Sequence, residues 1–235
     1  LLAVKSKKVT LGNVRVEGTD MALPLVKTKT EGYYEYGDMT VTVGEKEITT
    51  AEEFLAIGSS QTALKKKYSL GGNIDLDGAV SGSYAVNGTF SGELDGNGFT
   101  VTGSDAALFE KMDGAQVTDL VIEGSSLTSH DQKGALAGEV KNSIIEKVRI
   151  RDLTIDNNAN QVGGLAGVIS GSTVKRISAE NIFIRAGNTI GGIAGQFDGS
   201  ILSDCIVTGN MEGTARHQMG ARIGGITGWL GDGIM

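Results

Sequence analysis

Carboxylates come first among the residues able to do chemistry. Asp75, Asp77 and Asp95 lie close together in the chain, with Glu93 beside the last. Oxygen ligands of this kind suit calcium, and paired carboxylates suit glycosidic hydrolysis or, with a basic residue, lyase chemistry. The same residues, next to Asn97, also suit tight turns, where Asp and Asn side chains accept backbone hydrogen bonds. Arg149, Arg151, Lys175 and Arg176 are basic, yet no Asp recurs in step with them. His130 and His217 are the only histidines, and no His-Glu-x-x-His motif occurs. Zinc catalysis needs three protein ligands and a base, so no catalytic residue and no cofactor are expected within this chain. The single cysteine, Cys205, excludes an intrachain disulfide and a CxxC metal pair; it falls on an apolar rung and reads as a small buried hydrophobe.

Two polar stretches read as places for a partner to dock. One is Met211–Arg222, which lengthens the last of a series of repeats and carries Arg216, His217, Met219 and Arg222. The other is Ser125–Lys133, with His130 and Asp131. Loops that project from one face of a repeat protein often carry its binding function, and a tolerated insertion is the alternative.

The elements that would position these residues come from the repeat itself. Gly-Ala-Leu-Ala-Gly begins at Gly134, and Gly-Gly-(Leu/Ile)-(Ala/Thr)-Gly blocks begin at Gly163, Gly191 and Gly224, spacings of 29, 28 and 33 residues. A steady period in this range marks a stacked architecture. After each block comes a small-residue turn and then apolar residues two apart: Ile145, Val148, Leu153 and Ile155; Val174, Ile177, Ile182 and Ile184; Leu202, Cys205 and Val207. A degenerate earlier unit has Val117, Leu120, Ile122 and Leu127, with Ala107-Leu-Phe109 in place of the glycines. Alternation, β-branching and interruption by Gly, Ser, Asn or Asp are strand signals. The 36 glycines decide against a helical repeat, because each interior glycine costs a helix about 1 kcal/mol relative to alanine.

The expectation is an all-β chain: a parallel β-helix of about 28-residue coils, three strands and three corners to a coil, with Ile and Val in inward ladders. The glycine blocks are expected to be tight strands at corners, needing either φ > 0 or very close backbone approach. Residues 68–235 form the solenoid, with Tyr68–Leu76 and Phe90–Val101 as its first coils. Residues 48–67 hold a capping helix and linker: Thr50 as N-cap, Glu53 three residues on, Phe54, Leu55 and Ile57 as its apolar face and Gly58 as its stop. Residues 1–47 form an N-terminal β segment. The chain stops just after the fourth glycine block, where its coil ought to continue, so a piece of a longer protein is expected. A net charge of −7 argues against a nucleic-acid surface, and no apolar run is long enough to span a membrane.

Tyr-x-Leu-x-x-x-Ile-Asp-Leu at 68–76, Phe-x-Gly-x-Leu-Asp-Gly-Asn-Gly at 90–98, Leu108-Phe109 followed by Val117-x-x-Leu-x-Ile122, and the Gly-Gly-Leu-Ala-Gly blocks resemble the GLUG-type repeat regions of Gram-positive surface proteins. Their order looks most like the β-helical part of the streptococcal zinc metalloproteases that include the immunoglobulin A protease. The resemblance covers about residues 48–235 and implies a non-catalytic β-helix of a secreted, cell-wall-associated endopeptidase whose zinc lies in a downstream protease domain. The implied partners are immunoglobulin A or another host glycoprotein, and the parent's other domains. A stand-alone adhesin or surface stalk, and a carbohydrate-active β-helix using Asp75, Asp77 or Asp95, are alternatives.

Overall fold

The computed structural model describes residues 47–129, 133–214 and 220–232, together with the strands Val14–Glu17, Tyr33–Tyr36 and Met39–Val43. The chain divides into two units, Leu1–Glu47 and Ile48–Met235. In the first, Met39–Val43 is the central strand of a three-stranded sheet, antiparallel to both Val14–Glu17 and Tyr33–Tyr36.

The second unit is the parallel β-helix. Its longest walls are three stacks of parallel strands. One runs Tyr84–Phe90, Ala107–Asp113, Ala137–Lys141, Ala166–Ser170, Ala194–Asp198, Thr227–Leu230; we call it wall A. Wall B includes Lys67–Leu70, Glu93–Asp95, Gln116–Thr118, Ile144–Glu146, Thr173–Lys175 and Ile201–Ser203. Wall C includes Ile74–Asp75, Thr100–Thr102, Val121–Glu123, Arg149–Arg151 and Ser178–Ala186, and Ile206–Gly213 pairs with the last of these. Inward ladders follow the register. Leu94, Val117, Ile145, Val174 and Leu202 stack on wall B, and Val101, Ile122, Ile150, Ala179 and Val207 on wall C. Apolar side chains at equivalent positions thus bury one another from coil to coil.

Three strands to a coil holds only at the start. The first coils, with Leu94 paired to Val117, go from wall A to B to C and back. From Ser126 onward wall C gains a second strand per coil, as in Thr154–Asp156, and a fourth, three-stranded wall appears: Gln161–Gly163, Thr189–Gly191 and Arg222–Gly224. The extra residues of the 28- and 29-residue coils form these strands. A larger cross-section results, filled by the added rungs Leu127, Ile155 and Ile184 and by Val162 and Ile190, all buried.

The left-handed corners lie elsewhere than in the glycine blocks. Between walls B and C stand Asp119, Lys147, Arg176 and Asp204, with φ of 51°, 54°, 54° and 55°. Between A and B stand Gly114, Asn142, Gly171 and Gly199, all at positive φ. No glycine of the four blocks is in that region; they serve close approach instead. Gly163 ends a strand of the fourth wall and Ala166 begins one of wall A, so the block is a bend between strands rather than a strand. A Cβ on Gly163 would lie 2.4 Å from the carbonyl oxygens of Ala166 and Ile193. Leu165 and Ile193 of these blocks point inward and are fully buried, as expected.

A serine ladder fixes the corner after wall A. The backbone N–H of Ala115 donates to Ser143 Oγ, that of Ser143 to Ser172 Oγ and that of Ser172 to Ser200 Oγ, at 3.0, 3.1 and 2.9 Å. Each hydroxyl donates onward to the carbonyl two residues earlier. Each serine thereby satisfies a buried donor one coil away.

The helix forms at Ala51–Leu55. Thr50 Oγ1 accepts from the Glu53 N–H, and Glu53 reaches back to the N–H of Thr49, one residue before the cap. It ends by tightening into a 3-10 turn, Ala56–Ser59, that includes Gly58, so Gly58 is not a left-handed stop. Phe54 and Ile57 are fully buried. The Phe54 ring lies 6.2 Å from that of Phe109, which stacks on Phe90 at 4.8 Å. Phe109 occupies the rung where later coils carry Ala137 and Ala166, and its ring fills the interior of the narrower first coils.

Candidate functional site

Asp75 and Asp77 share a turn, Asp75 Oδ1 accepting from the Asp77 N–H at 3.1 Å. Asp95 stands on wall B, not wall C, and its Oδ1 accepts from the Asn97 N–H at 2.9 Å. Glu93 forms an ion pair with Lys67 at 2.9 Å. These carboxylates are exposed or half-buried and serve local turns and pairs. Among the described residues, no three His, Cys, Asp or Glu side chains converge on a point where a metal could sit. The described residues therefore offer no ligand set for a zinc centre.

Arg222 opens the last strand of the fourth wall; it is exposed, and its N–H donates to the Asn188 carbonyl at 2.7 Å. Arg216, His217 and Met219 lie outside the described residues, as do His130 and Asp131. Cys205 occupies the rung of Leu120, Val148 and Ile177, just after the left-handed corner. It is only half-buried because it belongs to the last coil. Burial pushes its thiol pKa up, and Sγ donates to the Ser203 carbonyl.

The structure also brings together residues that motif reading passed over. A groove of about 420 Å³ runs across wall A, lined by Tyr84, Glu110, Lys111, Lys133, Gly138, Glu139, Gln161, Val168 and Gln196. Lys111, Glu139, Val168 and Gln196 are register partners on neighbouring strands, so they form one outward row. Gln161 enters from the fourth wall, where that wall meets wall A in a concave bend. The bend requires the last glycine of the later blocks, because a Cβ on Gly195 would lie 2.3 Å from the backbone nitrogen of Val162 and one on Gly228 2.6 Å from that of Ile190. Gln161 Nε2 donates to Gln196 Oε1 at 2.9 Å. Glu110 accepts from the Gly88 N–H at 2.8 Å, and Glu139 pairs with Lys141 at 2.7 Å, which holds the Lys141 pKa above its ordinary value. At the other end the Tyr84 ring lies over Gly138, whose added Cβ would meet Tyr84 Oη at 3.0 Å. The signal in the sequence was Lys111, Glu139 and Gln196 at coil spacing, interrupted by Val168 and overshadowed by the apolar ladders.

Residues 58–152, less than half of the chain, match the family model described as the M26 IgA1-specific metallo-endopeptidase N-terminal region. The matched stretch takes in the 3-10 turns after the helix and the first coils of the solenoid. No curated protein matches the chain. Among the described residues, no helix is long and apolar enough to cross a membrane.

Proposed function

We propose that this chain is a non-catalytic β-helix from the region preceding the protease domain of an IgA1-specific-type metalloendopeptidase, acting as scaffold and in substrate recognition. The observation that supports it most is the match at residues 58–152, because it falls on the first coils of the solenoid. In this reading zinc belongs to the parent's downstream protease domain, the parent is secreted and held at a streptococcal-type cell wall, and the partners are immunoglobulin A and the parent's own domains. Partner contact is made through the stretch Met211–Arg222, with Arg216, His217, Met219 and Arg222, and through the stretch Ser125–Lys133, with His130 and Asp131. A rigid stack of paired strands suits this task, since it holds loops at fixed spacing without rearranging on binding.

The test is binding of the 235-residue chain to immobilised immunoglobulin A1, alone and with Arg216→Ala and Arg222→Ala combined. Saturable binding weakened about tenfold by the double change supports recognition at that loop. Absence of binding at about 100 µM refutes the recognition role.

A further inference from the structure

The geometry points to the wall A groove as a binding site for a short neutral oligosaccharide. Its size falls within the range of about 300–1,000 Å³ usual for small-molecule sites. Its floor offers no strand edge. The strands Ala107–Asp113, Ala137–Lys141, Ala166–Ser170 and Ala194–Asp198 are each paired on both sides, so a peptide cannot add to the sheet there. Val168 is the one aliphatic side chain among the lining residues, which gives an apolar peptide side chain or a lipid tail little to bury against.

What the groove supplies is a mixture of donors and acceptors on planar or short-reach polar groups. The bond from Gln161 Nε2 to Gln196 Oε1 leaves Gln161 Oε1 as an acceptor and Gln196 Nε2 as a donor. Carboxylates at Glu110 and Glu139 accept, and ammonium groups at Lys111 and Lys133 donate. A sugar hydroxyl both donates and accepts, so it can use every one of these groups. Glu139 pairs with Lys141 and Glu110 lies 3.9 Å from Lys111, so both carboxylates of the groove already face a cation within the protein. A groove whose charges are largely met internally favours a neutral ligand over an anionic polysaccharide. Tyr84 adds an aromatic ring at one end, a surface that packs against the C–H face of a sugar ring. Lys133 ends the Ser125–Lys133 stretch invoked for immunoglobulin binding, but the proposal rests on the outward row of wall A and on Gln161, and it does not depend on that reading.

The experiment titrates the 235-residue chain with cellotetraose, chitotetraose, maltotetraose and lacto-N-neotetraose, following the side-chain amide signals of Gln161 and Gln196 by NMR. The expected result is saturable shifts for at least one probe, with a Kd on the order of 1 mM. In the double variant Gln161→Ala with Gln196→Ala, calorimetry should show affinity at least about tenfold weaker, and Lys111→Ala, at an exposed position where the ammonium lies 3.9 Å from Glu110, should weaken it about threefold. Two results overturn the proposal: no probe shifting either amide at about 10 mM, or binding that all three substitutions leave unchanged. A heparin-derived tetrasaccharide that outcompetes every neutral probe overturns the ligand class. Lys111→Ala keeps the test meaningful should the glutamine pair prove necessary for folding.

Discussion

At the residue scale two kinds of glycine occupy this chain. Gly163 sits where backbone crosses backbone, and an added methyl would lie 2.5 Å from Ala194 Cα as well as against two carbonyls. Gly199 stands at a left-handed corner, φ 52°, with nothing within 4 Å of an added Cβ. Gly163→Ala is therefore expected to lower stability by about 1–3 kcal/mol, since neighbouring backbone must shift. Gly199→Asn is expected to stay within about 0.5 kcal/mol, because Asn tolerates that conformation, as Asn142 does at the equivalent corner. Urea midpoints of the two variants check this directly. Charge pairs also act locally. Arg185 donates two hydrogen bonds to Asp156 on the neighbouring strand, and this holds the Asp156 pKa below the ordinary aspartate value. A depressed folded-state pKa gives stability that is present above the unfolded value and lost as pH falls through the folded one. The melting-temperature difference between wild type and Asp156→Asn should thus be measurable at neutral pH and shrink as pH falls below the ordinary aspartate value. Because both side chains are nearly half exposed, the neutral-pH difference is expected to be small and reduced by salt.

At the element scale, stability concentrates where a coil wall is closed by side chains from another element. Phe54 anchors the helix in the first coils, and Phe54→Ala is expected to cost about 3–5 kcal/mol by leaving a cavity against Phe109. Thr50→Ala removes only the cap and should cost about 1 kcal/mol. In the serine ladder, Ser172→Ala strands the buried N–H of Ser143 and should cost about 1–3 kcal/mol, an effect that thermal melts of the three variants would rank. The helix was legible because its start signals are local: Thr50, Glu53 and an apolar face lie within eight residues. Its end was not, since Gly58 is consumed by a 3-10 turn packed near Val86 rather than by a left-handed cap. The same division holds for the coils. Period and inward ladders follow from alternation, so Val117, Ile145 and Val174 could be aligned from sequence. The fourth wall could not, because three-residue strands such as Gln161–Gly163 leave too short a pattern to separate from a turn. Lys147 and Arg176 at left-handed corners were equally hidden, as their side-chain types give no hint of that conformation.

At the scale of the whole molecule, each coil of the solenoid touches chiefly its neighbours, and the candidate sites inherit that arrangement. A groove assembled from Tyr84, Lys111, Glu139, Gln161 and Gln196 draws on residues spread over more than a hundred positions. It emerges only when the coils are in register, which is why the adjacent carboxylates Asp75, Asp77 and Asp95 drew attention in the sequence and the groove did not. The two ends of the described solenoid also differ. Ile48, Phe54, Ile57 and Leu64 are buried at the first, whereas Ile223, Trp229 and Leu230 are 49, 38 and 38% exposed at the last. In a stack stabilised by nearest-neighbour interfaces, such asymmetry makes opening start at the exposed coil. Amide exchange should therefore be slowest in the strands between Ala107 and Asp198 and at least about tenfold faster in Ile206–Gly213 and Thr227–Leu230. Ile150→Ala, in a middle rung, should speed exchange in its own coil and the coils adjoining it, while Val207→Ala should speed it only in the last coil. Uniform protection, equally lowered by both changes, would instead mean that the coils unfold as one unit and that the nearest-neighbour description fails.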